Sequence, residues 1–390
     1  MATQAEILEA TSQYLIPNYG PRLLAVVRGQ GARIWNADGK EFIDLFAGFG
    51  GAGVVGHCHP SIVEAIRRQA GLLHCHGNFF TNEPQVDLAR RIVEHSFDGK
   101  VFYCHSGAEA NEAGLKLVRL AAGEGRYKII SFDSCFHGRT MGALSLTPEK
   151  FQAGFEPMLP GGVKVPLNDI DAVAAAIDDE TAGVFIEPIQ AEGGVNMPTA
   201  EFMQALRALC DEKGLLLVCD EVWTAPARTG KWFAYQHYGI EPDVMTLAKA
   251  IGGGLPVGVC LAAAKWADVL GPGKHGCTMG GMPMCAAAGA ACMKLIEDEG
   301  LVARAAELGG RAVETIRQAD IPCVKEVRGA GLLLGIQIDR PAAEVFKAAL
   351  EAGIFICYAG ADVIRLAPPL VIDDALLDEG LTKVIALLKA

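Results

Sequence analysis

The sequence predicts an α/β protein whose large domain holds a mostly parallel seven-stranded sheet, beside a smaller α+β domain. The first observation is an alternation: between about residue 100 and residue 262, short β-rich runs alternate with helix-like segments. The second is length and composition. A chain of 390 residues, 51% hydrophobic and 21% charged, is globular and too long for one small core.

The seven strand candidates follow one another along the chain as VFYC, KIISF, VKVPL, AGVFIEP, LLLVCD, DVMTLA and VGVCLAAA. Amphipathic segments such as EFMQALRALCDEKG, which ends at Gly214, separate them and predict helices on both faces of the sheet. Ligands of such sheets bind beyond the carboxyl ends of the strands. Asp220 and Glu221 stand at one of those ends.

The flanking segments predict the smaller domain. ARIWNADGKEFIDL has the strand, Asp-Gly turn, strand pattern of a hairpin. A helical stretch from about 283 to 318 is followed by strand-like runs in IPCVKEVRGAGLLLGIQI and VIRLAPPLVI. We therefore expect residues 1–55 to join the small domain, residues 56–285 to form the large domain, and residues 286–390 to form an interdomain helix and the C-terminal small domain.

Charge and cysteine usage narrow the class of partner. A net charge of -12 provides no basic field for nucleic acid or an anionic membrane, so small molecules are the expected partners. The 12 cysteines are spread through apolar runs without a secretion signal, which favours reduced thiols in a cytoplasmic enzyme. MATQAEILEA is no targeting segment, and the uncharged residues 276–293 are too weakly apolar for a membrane span.

Two nucleotide-binding patterns are incomplete. LLLVCDE is similar to the strand of an ATPase that ends in a magnesium-binding acid, but none of the four Gly-Lys pairs has the earlier glycine of a phosphate loop. GFGGAG matches the G-x-G-x-x-G of dinucleotide-binding proteins, yet VVGHCHP delays the helix that should follow at once. A glycine loop at a substrate pocket is the favoured interpretation.

The triplets His57-Cys58-His59 and His74-Cys75-His76 offer soft metal ligands. Neighbouring side chains in a triplet point apart, whereas zinc ligands are usually spaced by two to four residues so that they converge. Packing and helix capping are the favoured roles, and no metal site is predicted.

Three features point together to one cofactor. Ser106, Gly107 and Ala108 open a helix after a strand and leave its first amides to an anion. Lys249 lies just past an apolar strand and before three glycines, and Asp220 ends another strand. Pyridoxal phosphate needs a phosphate cradle, a lysine to hold its aldehyde and a carboxylate to keep its ring nitrogen protonated. The sequence therefore predicts pyridoxal phosphate.

The chain also resembles the class III, fold-type-I aminotransferases, and among them the acetylornithine and ornithine aminotransferases. The likeness covers nearly the whole chain through GQGARIWNADGKEFIDL, GHCHPSIVEAI, SGAEANEAGLKL, FHGRTMGALS, EPIQAEGGV, DEV, ARTGKWFA, PDVMTLAKAIGGGLPVG and VRGAGLLLG. The resemblance implies that fold and a pyridoxal-phosphate aminotransferase.

The resemblance implies roles at the cofactor ring. Lys249 would link covalently to the cofactor and, once freed by substrate, shuttle a proton to and from the substrate carbon. Asp220 would pair with the ring nitrogen, while Val222 and Phe136 cover the two ring faces. Trp223 stands near the cofactor where the family usually has Gln.

The resemblance also implies which residues bind the cofactor's phosphate and how the subunits assemble. Ser106, Gly107 and Ala108 would take the phosphate, helped by Thr278 from a second subunit. That role requires a homodimer with shared active sites.

For the substrate, the resemblance implies that Arg139 clamps an α-carboxylate. Glu192 and Arg365 would form a pair that opens when the second carboxylate of 2-oxoglutarate must enter. Tyr19 and Cys277 are the further expected substrate contacts. Cys277, Met279, Met282, His105 and Ala191 depart from the family's usual residues, as Trp223 does, and these departures leave the substrate open.

We expect an aminotransferase that moves the ω-amino group of an N-acetylornithine- or ornithine-like donor to 2-oxoglutarate by a ping-pong cycle. The alternatives are a transaminase of lysine, GABA or putrescine, a decarboxylase or racemase of the same fold, and a cofactor binder without turnover whose pocket Trp223 blocks.

Overall fold

The computed structural model describes residues 2–48 and 50–390. Its strands are β1 (Val26–Gln30), β2 (Arg33–Asn36), β3 (Glu41–Asp44), β4 (Gly99–Cys104), β5 (Lys128–Phe132), β6 (Gly162–Val165), β7 (Thr181–Ile186), β8 (Leu216–Asp220), β9 (Val244–Leu247), β10 (Gly258–Ala263), β11 (Val324–Ala330), β12 (Leu333–Ile338), β13 (Ile354–Phe355), β14 (Cys357–Ala359) and β15 (Val363–Leu366). Its α-helices are α1 (Gln4–Tyr14), α2 (Pro60–Ala70), α3 (Glu83–His95), α4 (Gly107–Ala122), α5 (Met141–Leu146), α6 (Ile170–Ala176), α7 (Ala200–Lys213), α8 (Pro283–Asp298), α9 (Leu301–Gln318), α10 (Ala342–Glu351) and α11 (Asp374–Lys389).

The central sheet confirms the predicted fold class. Its seven strands lie in the order β4-β10-β9-β8-β7-β5-β6. β10 is antiparallel to both of its neighbours, whereas the pairs from β9 to β6 are parallel. Each of the seven predicted runs forms one of these strands, so the alternation in the sequence located the sheet.

Both faces of the sheet are buried, which explains why its strands are continuous apolar runs. Along β8, Leu217 and Cys219 belong to one hydrophobic cluster with residues of α7, while Leu216 and Val218 belong to another with residues of α4. The alternation sends neighbouring side chains to opposite faces. Asp220, at the end of the strand, is thereby placed at the carboxyl edge.

Two smaller sheets lie at the ends of the chain. The predicted hairpin is present as antiparallel β2 and β3, and β13 from the C-terminal part adds to β3 in parallel. A second sheet has the order β11-β12-β15-β14. The predicted boundary at residue 286 falls in the first turn of α8, and the division into domains stays a prediction.

The predicted helical stretch from about 283 to 318 is two helices. Gly300, with φ 62, lies between α8 and α9 in the left-handed conformation that favours glycine. Among the described residues, no helix is both long enough and apolar enough to cross a membrane.

Candidate active site

A cavity of ≈ 550 Å³ lies beyond the carboxyl ends of the parallel strands, a volume within the usual range for small-molecule sites. Ten of the predicted site residues line it: Tyr19, Ser106, Gly107, Ala108, Phe136, Arg139, Asp220, Val222, Trp223 and Lys249. The structure therefore brings together residues that are far apart in the sequence.

Lys249 follows β9 and lies half-buried in the cavity wall. Its φ is 48, a conformation that costs a non-glycine residue about 1–3 kcal/mol and clusters at functional sites. Burial lowers the pKa of its ammonium, against the opposing attraction of the Glu192, Asp220 and Glu187 carboxylates. A lysine with a lowered pKa is the more readily available as a neutral nucleophile.

Asp220 is buried but not alone. Its Oδ1 accepts the Val222 backbone N–H at 3.0 Å, and its Oδ2 accepts from Asn111 Nδ2 at 2.7 Å and lies 2.8 Å from His137 Nδ1. Thr246 donates in turn to Asn111 Oδ1 at 2.6 Å. These partners offset the cost of burying a carboxylate and fix its orientation.

His137 is the second buried side chain that contacts the Asp220 carboxylate. Burial of its imidazole opposes protonation, yet the Cys135 sulfur and the Asp220 carboxylate raise its pKa well above the ordinary value. Asn111 and His137 lie inside the motifs SGAEANEAGLKL and FHGRTMGALS, but the sequence predicted no role for either residue. Their contacts with Asp220 span 109 and 83 residues, so local pattern gave no signal for them.

Helix α4 begins at the predicted phosphate cradle. Its first helical hydrogen bond joins the Ala110 N–H to the Ser106 carbonyl at 3.0 Å, so the Gly107 and Ala108 amides precede the helical ladder. The Ser106 hydroxyl caps the helix by accepting the Glu109 N–H at 3.3 Å. Because a Cβ on Gly107 would lie 2.7 Å from Val222 Cγ1, glycine is required for this approach. An anion fits this helix start.

Glu187 lines the cavity, although the sequence did not predict it as a site residue. It directly follows β7, beside Asp220 at the end of β8, and accepts the Phe136 backbone N–H at 3.0 Å. Burial, reinforced by the neighbouring Asp220 charge, raises the pKa of Glu187 to about 8. A buried acid with a raised pKa at the sheet edge is a signal that only the structure could supply.

Glu192 and Arg365 form the predicted pair. Arg365 Nη1 lies 3.2 Å from Glu192 Oε1, and the guanidinium also donates to the Ala191 carbonyl at 2.9 Å. Burial tends to raise the pKa of Glu192, but the charges of Arg365 and Lys249 outweigh it and lower that pKa. Neither side chain belongs to the lining of the cavity, although Trp223 connects them to it.

Trp223 does not close the cavity. Its indole N–H donates to Glu192 Oε1 at 2.8 Å, the same oxygen that faces Arg365. The Arg365 guanidinium lies 5.7 Å from the indole centroid, and Lys249 Nζ lies 5.1 Å from it. A Cβ on Gly51 would lie 2.9 Å from Trp223 Cζ3, so the predicted glycine loop makes room for this side chain.

Four predicted site residues lie outside the network around Lys249 and Asp220. Two of them, Arg139 and Tyr19, line the cavity but are exposed. Arg139 is exposed and stacks over the Phe136 and Phe151 rings at 5.4 and 4.6 Å. Tyr19 is 73% exposed. Thr278 is exposed, and Cys277 lies 3.4 Å from His105 Nδ1; neither lines the cavity.

Glu221 and the His57-Cys58-His59 triplet make structural contacts. Glu221 is buried and accepts the Tyr235 N–H at 2.7 Å, and its burial raises its pKa to about 7. His57 pairs with Asp44 at 2.7 Å and His59 caps α2 through the Ser61 N–H at 3.3 Å. Helix α2 begins only at Pro60, well after the glycine loop.

Comparison with known proteins agrees with this geometry. The family model "Aminotransferase class-III" matches residues 14–388. The chain is similar to acetylornithine aminotransferases from Caldanaerobacter subterraneus subsp. tengcongensis (44% identity, 95% of each chain covered) and Streptomyces coelicolor (48%, 95% of this chain and 92% of that one). It superposes on the ornithine aminotransferase from Toxoplasma gondii, whose crystal structure reveals partial occupancy of PLP at the active site, with a TM-score of 0.94 and 32% identity over 99% of this chain and 94% of that one. The chain belongs to the class-III aminotransferases.

Proposed function

We propose that this enzyme transfers the ω-amino group of an N-acetylornithine- or ornithine-like donor to 2-oxoglutarate in a two-stage ping-pong cycle. The observation that carries the proposal is the Glu192–Arg365 pair at 3.2 Å, fixed beside Lys249 by Trp223. A pair that can open gives one pocket two carboxylate-binding states. The acetylornithine aminotransferases to which the chain is similar support the donor class.

Pyridoxal phosphate is the cofactor of this aminotransferase, and the residues of the cavity fit it. When bound, it supplies an aldehyde that takes up the amino group and a ring that withdraws electrons from the carbon that carried it. The fit rests on the Gly107 and Ala108 amides at the start of α4, the close approach of Gly107 to Val222, and the Asp220 carboxylate in the same cavity lining.

Lys249 is proposed to hold the cofactor and then to move the proton. Its Nζ would accept the proton from the substrate carbon that bears the amino group and return it on the other side of the transfer. Such a base works best when its pKa is near the operating pH, and burial shifts the pKa of Lys249 in that direction.

Asp220 is proposed to hold the proton on the cofactor's ring nitrogen. Asn111 and His137 bind Oδ2, whereas Oδ1 receives the Val222 N–H and keeps a lone pair for one further donor. Asn111 and His137 are then positioning residues, which set the direction of this carboxylate. Val222 and Phe136 would cover the ring faces, and Ser106 would complete the phosphate cradle.

The carboxylates of the two substrates need different states of the pocket. We propose that Arg139 binds the α-carboxylate of the donor as a planar bidentate donor while Glu192 neutralises Arg365. For 2-oxoglutarate, Glu192 leaves Arg365, which then binds the second carboxylate. Trp223 holds Glu192 in the paired state, and Tyr19 and Cys277 are the further proposed substrate contacts.

The enzyme is proposed to act in the cytoplasm as a homodimer. Thr278 is exposed in one subunit and would reach the phosphate of the second. Thr278 does not line the cavity of its own chain, and its exposed hydroxyl is therefore available to a second subunit.

The two-stage cycle is tested by separating its halves. Holoenzyme mixed with N-acetylornithine alone should lose its visible absorption stoichiometrically, and 2-oxoglutarate added after removal of the donor should restore it. Pyruvate in place of 2-oxoglutarate is the matched control. A spectral change that needs both substrates at once would contradict the ping-pong cycle.

The donor class is tested with a matched pair of amines. Ornithine and putrescine differ by the α-carboxylate, so Arg139→Lys should reduce the half-reaction rate with ornithine and leave that with putrescine nearly unchanged. N-acetylornithine, lysine and GABA complete the series. Equal loss with ornithine and putrescine would contradict the proposed clamp, and a preference for putrescine in the unmodified enzyme would contradict the donor class.

A further inference from the structure

A cluster of three different metal-ligating side chains lies at the edge of the active-site cavity. His105 immediately precedes the phosphate cradle, Glu109 lies in the first turn of α4, and Cys277 comes from the loop before α8. One ligand atom from each lies within 4.8 Å of the others. All three side chains are half-buried, so an ion from solution could reach them.

Two of the three distances within the cluster match the edges of a tetrahedral site, and the third, between Cys277 and Glu109, is within 4.8 Å. His105 Nδ1 lies 3.4 Å from Cys277 Sγ and 3.3 Å from Glu109 Oε1. Around a tetrahedral Zn²⁺ with bonds of about 2.0–2.3 Å, neighbouring ligand atoms lie roughly 3.3–3.7 Å apart. The same nitrogen therefore faces a sulfur and a carboxylate oxygen at the spacing that one ion would impose.

The elements that carry the ligands are held in place by other contacts. Glu109 Oε2 accepts the His105 backbone N–H at 2.9 Å and the Ser106 hydroxyl at 3.0 Å, which fixes the carboxylate against the helix start. The Cys277 carbonyl accepts Asn78 Nδ2 at 2.6 Å. Because the ligands are already partly ordered, ion binding costs less conformational entropy.

We propose that His105, Glu109 and Cys277 form a binding site for a soft divalent cation of the Zn²⁺ type. On binding, the Cys277 thiol releases its proton to solvent, and the ion gains bonds to Sγ, Nδ1 and one Glu109 oxygen. Water occupies the fourth position. Three protein ligands of the N, S and O type with an open position are a pattern that zinc accepts.

The site would affect the phosphate end of the cavity. His105 lines the cavity, and Glu109 anchors the Ser106 hydroxyl that caps α4. An ion held through Glu109 Oε1 leaves the Oε2 contacts in place and sets a positive charge beside the anion-binding helix start. We therefore infer that Zn²⁺ strengthens cofactor retention.

The test uses holoenzyme and two metals. Zn²⁺ affinity is measured by calorimetry, and the ligand set is read from Co²⁺ d–d bands, which lie at longer wavelengths than the cofactor absorption. We expect one ion per chain and intense bands typical of tetrahedral coordination. Cys277→Ser and His105→Asn should each weaken binding by more than roughly 100-fold, because even outer-shell changes cost about 10–100-fold.

The exposed thiols Cys58 and Cys75 provide matched controls, since Cys58→Ser and Cys75→Ser should bind Zn²⁺ as the unmodified enzyme does. Zn²⁺ should also slow cofactor release in the unmodified enzyme and not in Cys277→Ser. Absence of binding, a six-coordinate Co²⁺ spectrum, or unchanged affinity in both Cys277→Ser and His105→Asn would overturn the proposal. None of these outcomes depends on which donor or acceptor the enzyme uses.

Discussion

The floor of the cavity and its outer residues are built differently. The floor consists of Lys249, Asp220 and the partners Asn111 and His137, and its carboxylate is 4% exposed with several donors. The outer set is Tyr19, Arg139 and Thr278, all exposed, with Tyr19 at 73%. A buried charge is costly unless the same chain satisfies it, whereas exposed groups carry no such cost. The floor is therefore preorganised by one chain, and the outer set is available to substrate or to a second subunit.

The largest effect is expected at the floor. Lys249→Ala removes both the proposed covalent link to the cofactor and the proposed proton carrier, so amino transfer should fall by about 10⁴-fold or more. Visible absorption of the bound cofactor and single-turnover rates measure it. Lys231→Ala, an exposed lysine elsewhere, is the control. If Lys249→Ala kept both the visible absorption and the turnover, the proposal that the cavity floor is the catalytic region would be contradicted.

Asp220→Asn should have the next largest effect. It keeps the shape of the side chain but removes the charge that would hold the ring proton, so the donor half-reaction should slow by about 10²–10³-fold. Glu221→Gln is the matched control, because this neighbouring buried carboxylate bonds the Tyr235 N–H instead of facing the cavity. Equal slowing in both variants would show that the effect is structural.

Glu187, beside Asp220 in the cavity floor, should make the folding stability of the apoenzyme depend on pH. Since burial raises its pKa from 4.5 to about 8, the folded apoenzyme holds a proton that the unfolded chain releases between those values. Its contribution to stability is therefore greatest below 4.5 and is lost as the pH rises toward about 8. Urea unfolding of apoenzyme should show a shallower loss of stability with rising pH in Glu187→Gln than in the unmodified protein. Parallel pH profiles would contradict the raised pKa.

Trp223→Phe tests the connection between the cavity and the Glu192–Arg365 pair. Loss of the indole N–H destabilises the paired state, so the KM for 2-oxoglutarate should fall by about tenfold while kcat changes little. Trp266→Phe is a matched control, because Trp266 also donates to a carboxylate, Asp243, at 2.9 Å. A rise in KM would show that Trp223 supports the open state instead.

Thr278→Ala should have the smallest effect. If a second subunit supplies this hydroxyl to the phosphate, the dissociation constant of the cofactor should rise about threefold, as expected for the loss of one partly exposed hydrogen bond. Thr382→Ala, exposed on α11, is the control. Cofactor affinity that is unchanged in Thr278→Ala would argue that the outer set is completed by substrate alone.

Much of the floor was predictable because its residues end apolar strands. Lys249 follows β9 and Asp220 is the last residue of β8, at the edge where a parallel sheet gathers ligand-binding groups. Asn111, His137 and Glu187 were not predictable as functional. Each lies inside a motif of the family resemblance, but its partner comes from a distant segment of the chain, and no local period reports such a contact.

By itself the sequence determined the order of strands along the chain, the sheet edge at which the predicted site residues stand, and the cofactor, because hydrophobic period and motif order are local properties. Only the tertiary structure decided what Trp223 contacts, since its bond to Glu192 joins segments 31 residues apart. It likewise brought Cys277 within 3.4 Å of His105 across 172 residues. Such long-range contacts follow from how the sheet and helices pack, and packing is settled only when the whole chain has folded.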